Sequence, residues 1–334
     1  MFKILLIKND GNKSYDITPI VSGISWDSDM SMYCPCDFEI AYHDMPQHFP
    51  KNPCDLGDVI ILLDNDKEIH RWILVNEDQS GRDTIKYTGY DYAWYLGKST
   101  SVYQFNRISA TAAITKVLSD FGMMIGNVAK MSTIIDDIYI EKSPAHIIQD
   151  IWKKHESFSG KKYTVEMREG RIYIEEQGSL LIKGTFKQAD NLSNIDVVKF
   201  PISASRTRSI EELRNRIKIL VKGKNDAYEV VALSQNESLI SKYGLIEETF
   251  TVDAEDKAKA REVARILLQR LGKIHETNTI SLMGNTAFRG GYLVDINEEV
   301  TGMKGRYVIK SVKHSITNQI HTMDLELVLP EEVK

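Results

Sequence analysis

Short runs rich in apolar, β-branched and aromatic residues dominate the chain up to about residue 100, the pattern of strands rather than helices. Met1–Lys8 predicts a first strand, Asp16–Ser22 a second and Phe38–Tyr42 a third. The stretch Asp44–Cys54 then holds three of the eight prolines and breaks regular structure. From about 106 to 177 the apolar period lengthens. Ser109 is placed to cap a helix whose Ala113, Ile114, Val117, Leu118 and Phe121 share a face, and Gly122 stops it. Ile138-Tyr139-Ile140 reads as a short strand, and Ser143-Pro144 opens a second helix. Lys162–Met167 and Arg171–Glu175 form a hairpin across Glu169-Gly170. Residues 178–334 return to β, with Arg216–Leu220 and Tyr228–Ala232 as a strand pair around Lys222–Asp226. One long helix interrupts them: Asp253 caps residues 254–271, where Ala260, Val263, Ala264, Leu267, Leu268 and Leu271 repeat at helical spacing.

Within this pattern the two ends repeat one another. Gly57–Leu62, Arg71–Leu74 and Thr84–Thr88 find counterparts in Gly291–Ile296, Arg306–Ile309 and Gln319–Met323. Each copy has a Gly turn, an apolar strand, a charged connection, an aromatic-containing strand, a polar hairpin and a closing strand. The spacing agrees to within about one residue, so the expectation is a duplicated module rather than a short-period solenoid. The fold class expected is α+β, mainly β: two similar β-barrel-like domains, 1–105 and 178–334, flank a small α+β domain at 106–177.

Composition and charge narrow the function classes. At 334 residues the chain accommodates two or three domains, and a net charge of −5 gives no basic surplus for general nucleic-acid binding. The apolar run of the first residues is too short for a signal peptide, and nothing approaches a membrane span. A soluble, cytoplasmically made product is expected, and three cysteines argue against a disulfide scaffold.

Candidate chemistry is sparse. No phosphate loop, dinucleotide fingerprint or nucleophile elbow is present. His155-Glu156 and His275-Glu276 lack the second histidine of a zinc-protease helix. Glu175-Glu176 and Glu298-Glu299 read as solvated turn and strand-end acids, and His314 and His321 as ordinary strand residues. Cys34, Cys36, His43, His48 and Cys54 fall within about twenty residues and offer an alternative, a metal-dependent hydrolase. Their spacing matches no knuckle, and small buried cysteines are the plainer reading. Tyr87, Tyr90, Tyr92, Trp94 and Tyr95 offer a second alternative, a receptor- or glycan-binding patch, against ordinary packing of strand aromatics. Arg206, Arg208, Arg214 and Arg216 are interleaved with Glu211-Glu212 and read as a self-neutralising stretch rather than a phosphate grip.

The order of several segments resembles a known family. Ser109–Gly122, Tyr139–Ile148, Gly160–Tyr163, Asn215–Ile219, Ser241–Gly244 and Gly305–Ile309 with His314 are arranged as in the tail-hub proteins of contractile phage tails. The similarity is to the XkdQ/YqbQ-like branch of defective prophages and phage-tail-like bacteriocins, and it covers nearly the whole chain. The resemblance implies a structural baseplate hub of a contractile injection system, with no catalytic residue, cofactor or metal. It implies a homotrimer whose two modules per chain make a pseudo-sixfold ring. That ring is a symmetry adaptor between a sixfold tail tube and a threefold spike, with baseplate wedge components around it. It further implies a virion component made in the bacterial cytoplasm and assembled into the baseplate, without specific nucleic-acid binding or a membrane segment.

Overall fold

A computed structural model describes residues 1–43, 51–81, 83–177, 180–182, 185–186, 195–196, 198, 201–222, 228–252 and 259–330. The chain divides into two compact units, Met1–Ser205 with Thr279–Lys334, and Arg206–Asn278.

In the larger unit, the alternation of inward apolar and outward polar residues builds two barrel-like modules. In the first, strands run in the order Val21–Asp29, Pro35–Ala41, Thr84–Tyr90, Lys67–Asp78, Val59–Asp64 and Phe2–Ile7. Their inward residues Ile24, Trp26, Phe38, Ile60, Leu62, Trp72, Leu74 and Tyr87 form one core. In the second, the order is Ser203–Ser209, His275–Met283, Ile320–Val328, Met303–Thr317 and Leu293–Glu298. Leu282, Phe288, Val294, Tyr307, Ile309, Val312, Met323 and Leu325 fill its core.

The repeat read from the sequence is a repeat of backbone geometry. Val59–Asp64 pairs with the next strand as Ile60↔Trp72, and Leu293–Glu298 pairs as Val294↔Tyr307. Ahead of each pair stands a glycine in the left-handed region, Gly57 at φ 86° and Gly291 at φ 83°. Gly57 N–H donates to Leu74 O at 2.8 Å, and Gly291 N–H to Ile309 O at 2.7 Å. Both middle strands carry a bulge just afterwards, between Leu74 and Asn76 and between Ile309 and Ser311. The third strands depart from the sequence alignment. Because Asp78↔Lys86 and Lys313↔Asp324 are the corresponding pairs, Thr84 answers to Thr322, three positions beyond Gln319. The second hairpin is therefore longer, and the equal spacing expected from the sequence fails there.

Three strands that the sequence pattern passed over organise this unit. Val21–Asp29 joins the modules by pairing antiparallel with Ser311–Thr317, for example Ile24↔Ile316. Ser101–Ser109 runs across position 105 and pairs with Ile134–Lys142, and Ile125–Val128 pairs parallel with Arg171–Glu176. The α+β part rests on helices Ala110–Asp120 and Pro144–Ser159, capped by Ser109 and Ser143, with Gly160 at φ 70° ending the second.

The unit Arg206–Asn278 has its own small core of Ile217, Ile219, Ala232, Ala260 and Ala264. Arg216–Lys222 pairs antiparallel with Tyr228–Gln235 and parallel with Glu247–Val252. Its long helix is described from Ala260 to Leu271; the cap expected at Asp253 and the first turn after it lie outside the described residues. The tip of the hairpin at 223–227 also lies outside them.

Candidate assembly surfaces

The residues singled out for chemistry are mostly absorbed by packing. Cys36 and Cys54 are buried, and Cys34 Sγ donates to Asp27 O at 3.0 Å. Burial pushes all three thiols up, Cys54 to about 12, so the thiolate that would bind a metal is disfavoured. His48 lies outside the described residues. Among the described residues no three His, Cys, Asp or Glu side chains are placed to hold a metal ion.

The tyrosine-rich segment is chiefly structural. Tyr87 is buried, stacks on Phe38 at 5.4 Å, donates to Glu77 Oε2 at 2.5 Å and accepts from Asn52 Nδ2 at 2.6 Å. Tyr90 and Trp94 stack at 6.1 Å, and Tyr95 is the exposed member of the set. The acid pairs are likewise engaged. Glu175 accepts from Arg168 and Glu176 from Lys161, while Glu298 accepts from the Val300 and Thr301 amides of its turn. In the smaller unit Arg206 and Arg208 both pair with Glu276, at 2.8 and 3.0 Å. Arg214 pairs with Glu248, and Arg216 with Glu247. The buried Asn215 amide is a clamp, donating to Gly244 O and accepting from Ile246 N–H.

His314 and His321 are more than ordinary strand residues. They meet at 3.0 Å where the modules join, and His314 stacks on Trp26 at 4.6 Å. Nε2 of His314 lies 3.1 Å from Phe288 O, so the geometry suits a neutral ring that donates there and accepts at Nδ1. Burial holds both rings below their ordinary range, His321 at about 4. Alternation alone placed them on a strand; only the pairing of Val21–Asp29 shows that their face is a joint.

A buried charge network fixes the α+β part to the second module. Glu166 receives Arg289 at 2.8 Å, Arg168 at 3.0 Å and Tyr292 Oη at 2.9 Å. Against the cost of burial, the two guanidiniums hold its carboxyl at about 2. Beside it Gly290 lies so close to Asp29 that a Cβ would sit 2.4 Å from the backbone. The loop that supplies Arg289 and Tyr292 thus has little freedom.

The surface carries a further feature. The outward face of the continuous sheet has two shallow depressions that share Lys313. Asp27, Asp37, Glu39, Asp78, Asp324 and Glu326 line them, against Lys86 and Lys313. Burial raises the Asp27 carboxyl and nearby Asp37 and Asp29 add to the effect, while Lys313 opposes it. Carboxylates therefore outnumber ammonium groups in the lining of these depressions. Among the described residues no helix is long and apolar enough to cross a membrane.

The YQBQ-like family model matches residues 24–328, and the chain belongs to that family. It is 23% identical over 276 residues to YqbQ of Bacillus subtilis (strain 168), covering 81% of each. It is 23% identical over 285 residues to the phage-like element PBSX protein XkdQ of the same organism, covering 83% of this chain and 84% of the relative. Its fold matches that of the prophage MuSo2 43 kDa tail protein from Shewanella oneidensis. There the TM-score is 0.69 at 15% identity, over 99% of this chain and all of the other.

Proposed function

We propose that this member of the YqbQ-like family is the hub of a contractile tail or tail-like particle. In this reading three chains close into a ring, and each contributes two like modules, from segments 1–105 and 178–334. Six similar faces meet a sixfold tail tube above, and the threefold arrangement of chains meets a spike below. The sheet face that carries these carboxylates would line the conduit. The role is structural, without turnover. The names of XkdQ, a phage-like element protein, and of the MuSo2 tail protein support the setting.

The observation that carries the reading is the shared register of the two modules, with equivalent glycines, hydrogen bonds and bulges. Two near-copies of one surface, alternating around a closed ring, give sixfold-like symmetry from three chains. Negative-stain imaging of the purified chain with and without tube and spike proteins tests this. Threefold rings that bind both partners are expected. A chain that stays outside tail particles overturns the proposal.

A further inference from the structure

We infer that the larger unit binds one water molecule at a site built by Trp26, His70 and Asp91. The site lies where the first module, the α+β part and the loop of Arg289 meet.

It is a cavity of about 20 Å³. Trp26, Cys34, His70 and Asp91 line it from the first module, Glu166 from strand Tyr163–Arg168, and Arg289 from the second module. One water needs about 10–15 Å³ of such space, so a single water fits and a larger ligand does not. Trp26 is 1% exposed and His70 5%. The indole N–H of Trp26 and Nε2 of His70 are both buried, and neither has a hydrogen-bond partner among the described residues. Buried polar atoms are nearly always satisfied, and two unpaired ones in the lining of one cavity point to a shared partner. Asp91 supplies the third group. Its Oδ1 accepts from Ala93 N–H at 3.0 Å and its Oδ2 from Cys34 N–H at 2.9 Å. Oδ2 lies 3.7 Å from Nε2 of His70, too far for a direct hydrogen bond and close enough for a bridge.

The donors and acceptors select the ligand. An indole N–H only donates, so the occupant must accept a hydrogen bond, which neither a metal ion nor an ammonium ion can do. The carboxylates of Asp91 and Glu166 line the same cavity and disfavour an anion. A water accepts from Trp26 and has two hydrogens to give, one to Nε2 of a neutral His70 and one to Oδ2 of Asp91. About three bonds is the usual number for a buried water. Trp26 stacks its ring on His314 and belongs to the strand that pairs with Ser311–Thr317. The water therefore ties His70 and Asp91 to the residue at the joint between the modules.

Two measurements on the full chain test the site. The first is a crystal structure at a resolution that shows ordered water. A density peak within about 3.2 Å of both Trp26 Nε1 and His70 Nε2 is expected. No peak there, direct contact between the two side chains, or a peak at the roughly 2.0–2.6 Å of metal ligation overturns the inference. The second is oxygen-17 magnetic relaxation dispersion, which counts the waters that tumble with the protein. His70→Phe keeps a ring and removes the nitrogen, and melting curves beside the parent show whether it folds. The count is expected to fall by one in His70→Phe and to stay unchanged in Arg306→Ala, a surface control. An unchanged count in folded His70→Phe overturns the bridge. Should that variant fail to fold, the crystal structure of the parent decides alone.

Discussion

The two modules begin with the same backbone and end differently, and the difference falls at their rims. Gly57 and Gly291 open matching strands with matching hydrogen bonds. Beyond the bulge, Met303–Thr317 runs on to pair with Val21–Asp29, whereas Lys67–Asp78 stops. In the second module the chain between the first two strands, residues 210–274, belongs to the unit Arg206–Asn278, whereas five residues join the first two strands of the first module. Duplication thus gives a common platform, and the copies diverge at their rims. An internal joint has a fixed partner and is free to become apolar and tight, as Trp26, His314 and His321 have.

The comparison breaks most readily at the internal joint. Trp26→Ala removes a fully buried indole that stacks on His314 and lies 6.0 Å from Trp72. A loss of about 4 kcal/mol is expected in denaturant unfolding. A loss below about 1 kcal/mol would mean that the modules do not depend on this contact.

Next is the network that only the second module makes. Glu166→Gln leaves Arg289 without its carboxylate and is expected to cost about 3 kcal/mol. The Glu166 carboxyl is lowered from its ordinary 4.5 to about 2. Its contribution is therefore fully present above pH 4.5 and is lost as pH falls toward 2. Glu166→Gln should flatten that part of the stability profile. His321 acts higher up. Its lowered value of about 4 means that stability falls as pH drops from about 6.5 toward 4, because the unfolded ring takes the proton first. His321→Gln should reduce this slope, as followed by melting temperature, and leave the part that buried His314 contributes.

The equivalent glycines sharpen the comparison further. Gly57→Ala meets only the Asn9 side chain, so left-handed strain of about 1 kcal/mol is expected. Gly291→Ala adds a Cβ 2.6 Å from Thr164 Oγ1 and should cost about 2 kcal/mol more. Equal losses would show that Thr164 does not press on that turn. The smallest effect belongs to the equivalent arginines. Arg71 is partly covered and grips Glu68, so Arg71→Ala should cost about 1 kcal/mol. Arg306 is open to solvent with Asp295, and Arg306→Ala should leave the melting temperature unchanged.

Much of this was legible in the chain because alternation and caps are local. Ser109, Ser143 and Gly160 end their helices as their chemistry requires, and the first two strands of each repeat align with a difference of one residue in the connection between them. Val21–Asp29 was not legible, since Gly23, Ser25 and Asp27 dilute its apolar signal; two deeply buried residues, Ile24 and Trp26, carry it. Ser203–Ser209 hides for the same reason, as it offers only Ala204 to a core. The first of them is the strand that joins the two modules. The independence of Arg206–Asn278 was also hidden, because its strands alternate apolar and polar residues as those of the larger unit do. Cysteine spacing misled in the other direction, since proximity in sequence says nothing of burial, and burial decides thiol chemistry here.

The most direct test of the account is the mass and symmetry of the assembled chain in solution, measured by native mass spectrometry and imaging together. The account predicts a particle of three chains showing six similar lobes. A ring of six whole chains, a closed dimer, or a chain that stays single in the presence of its tail partners would contradict it.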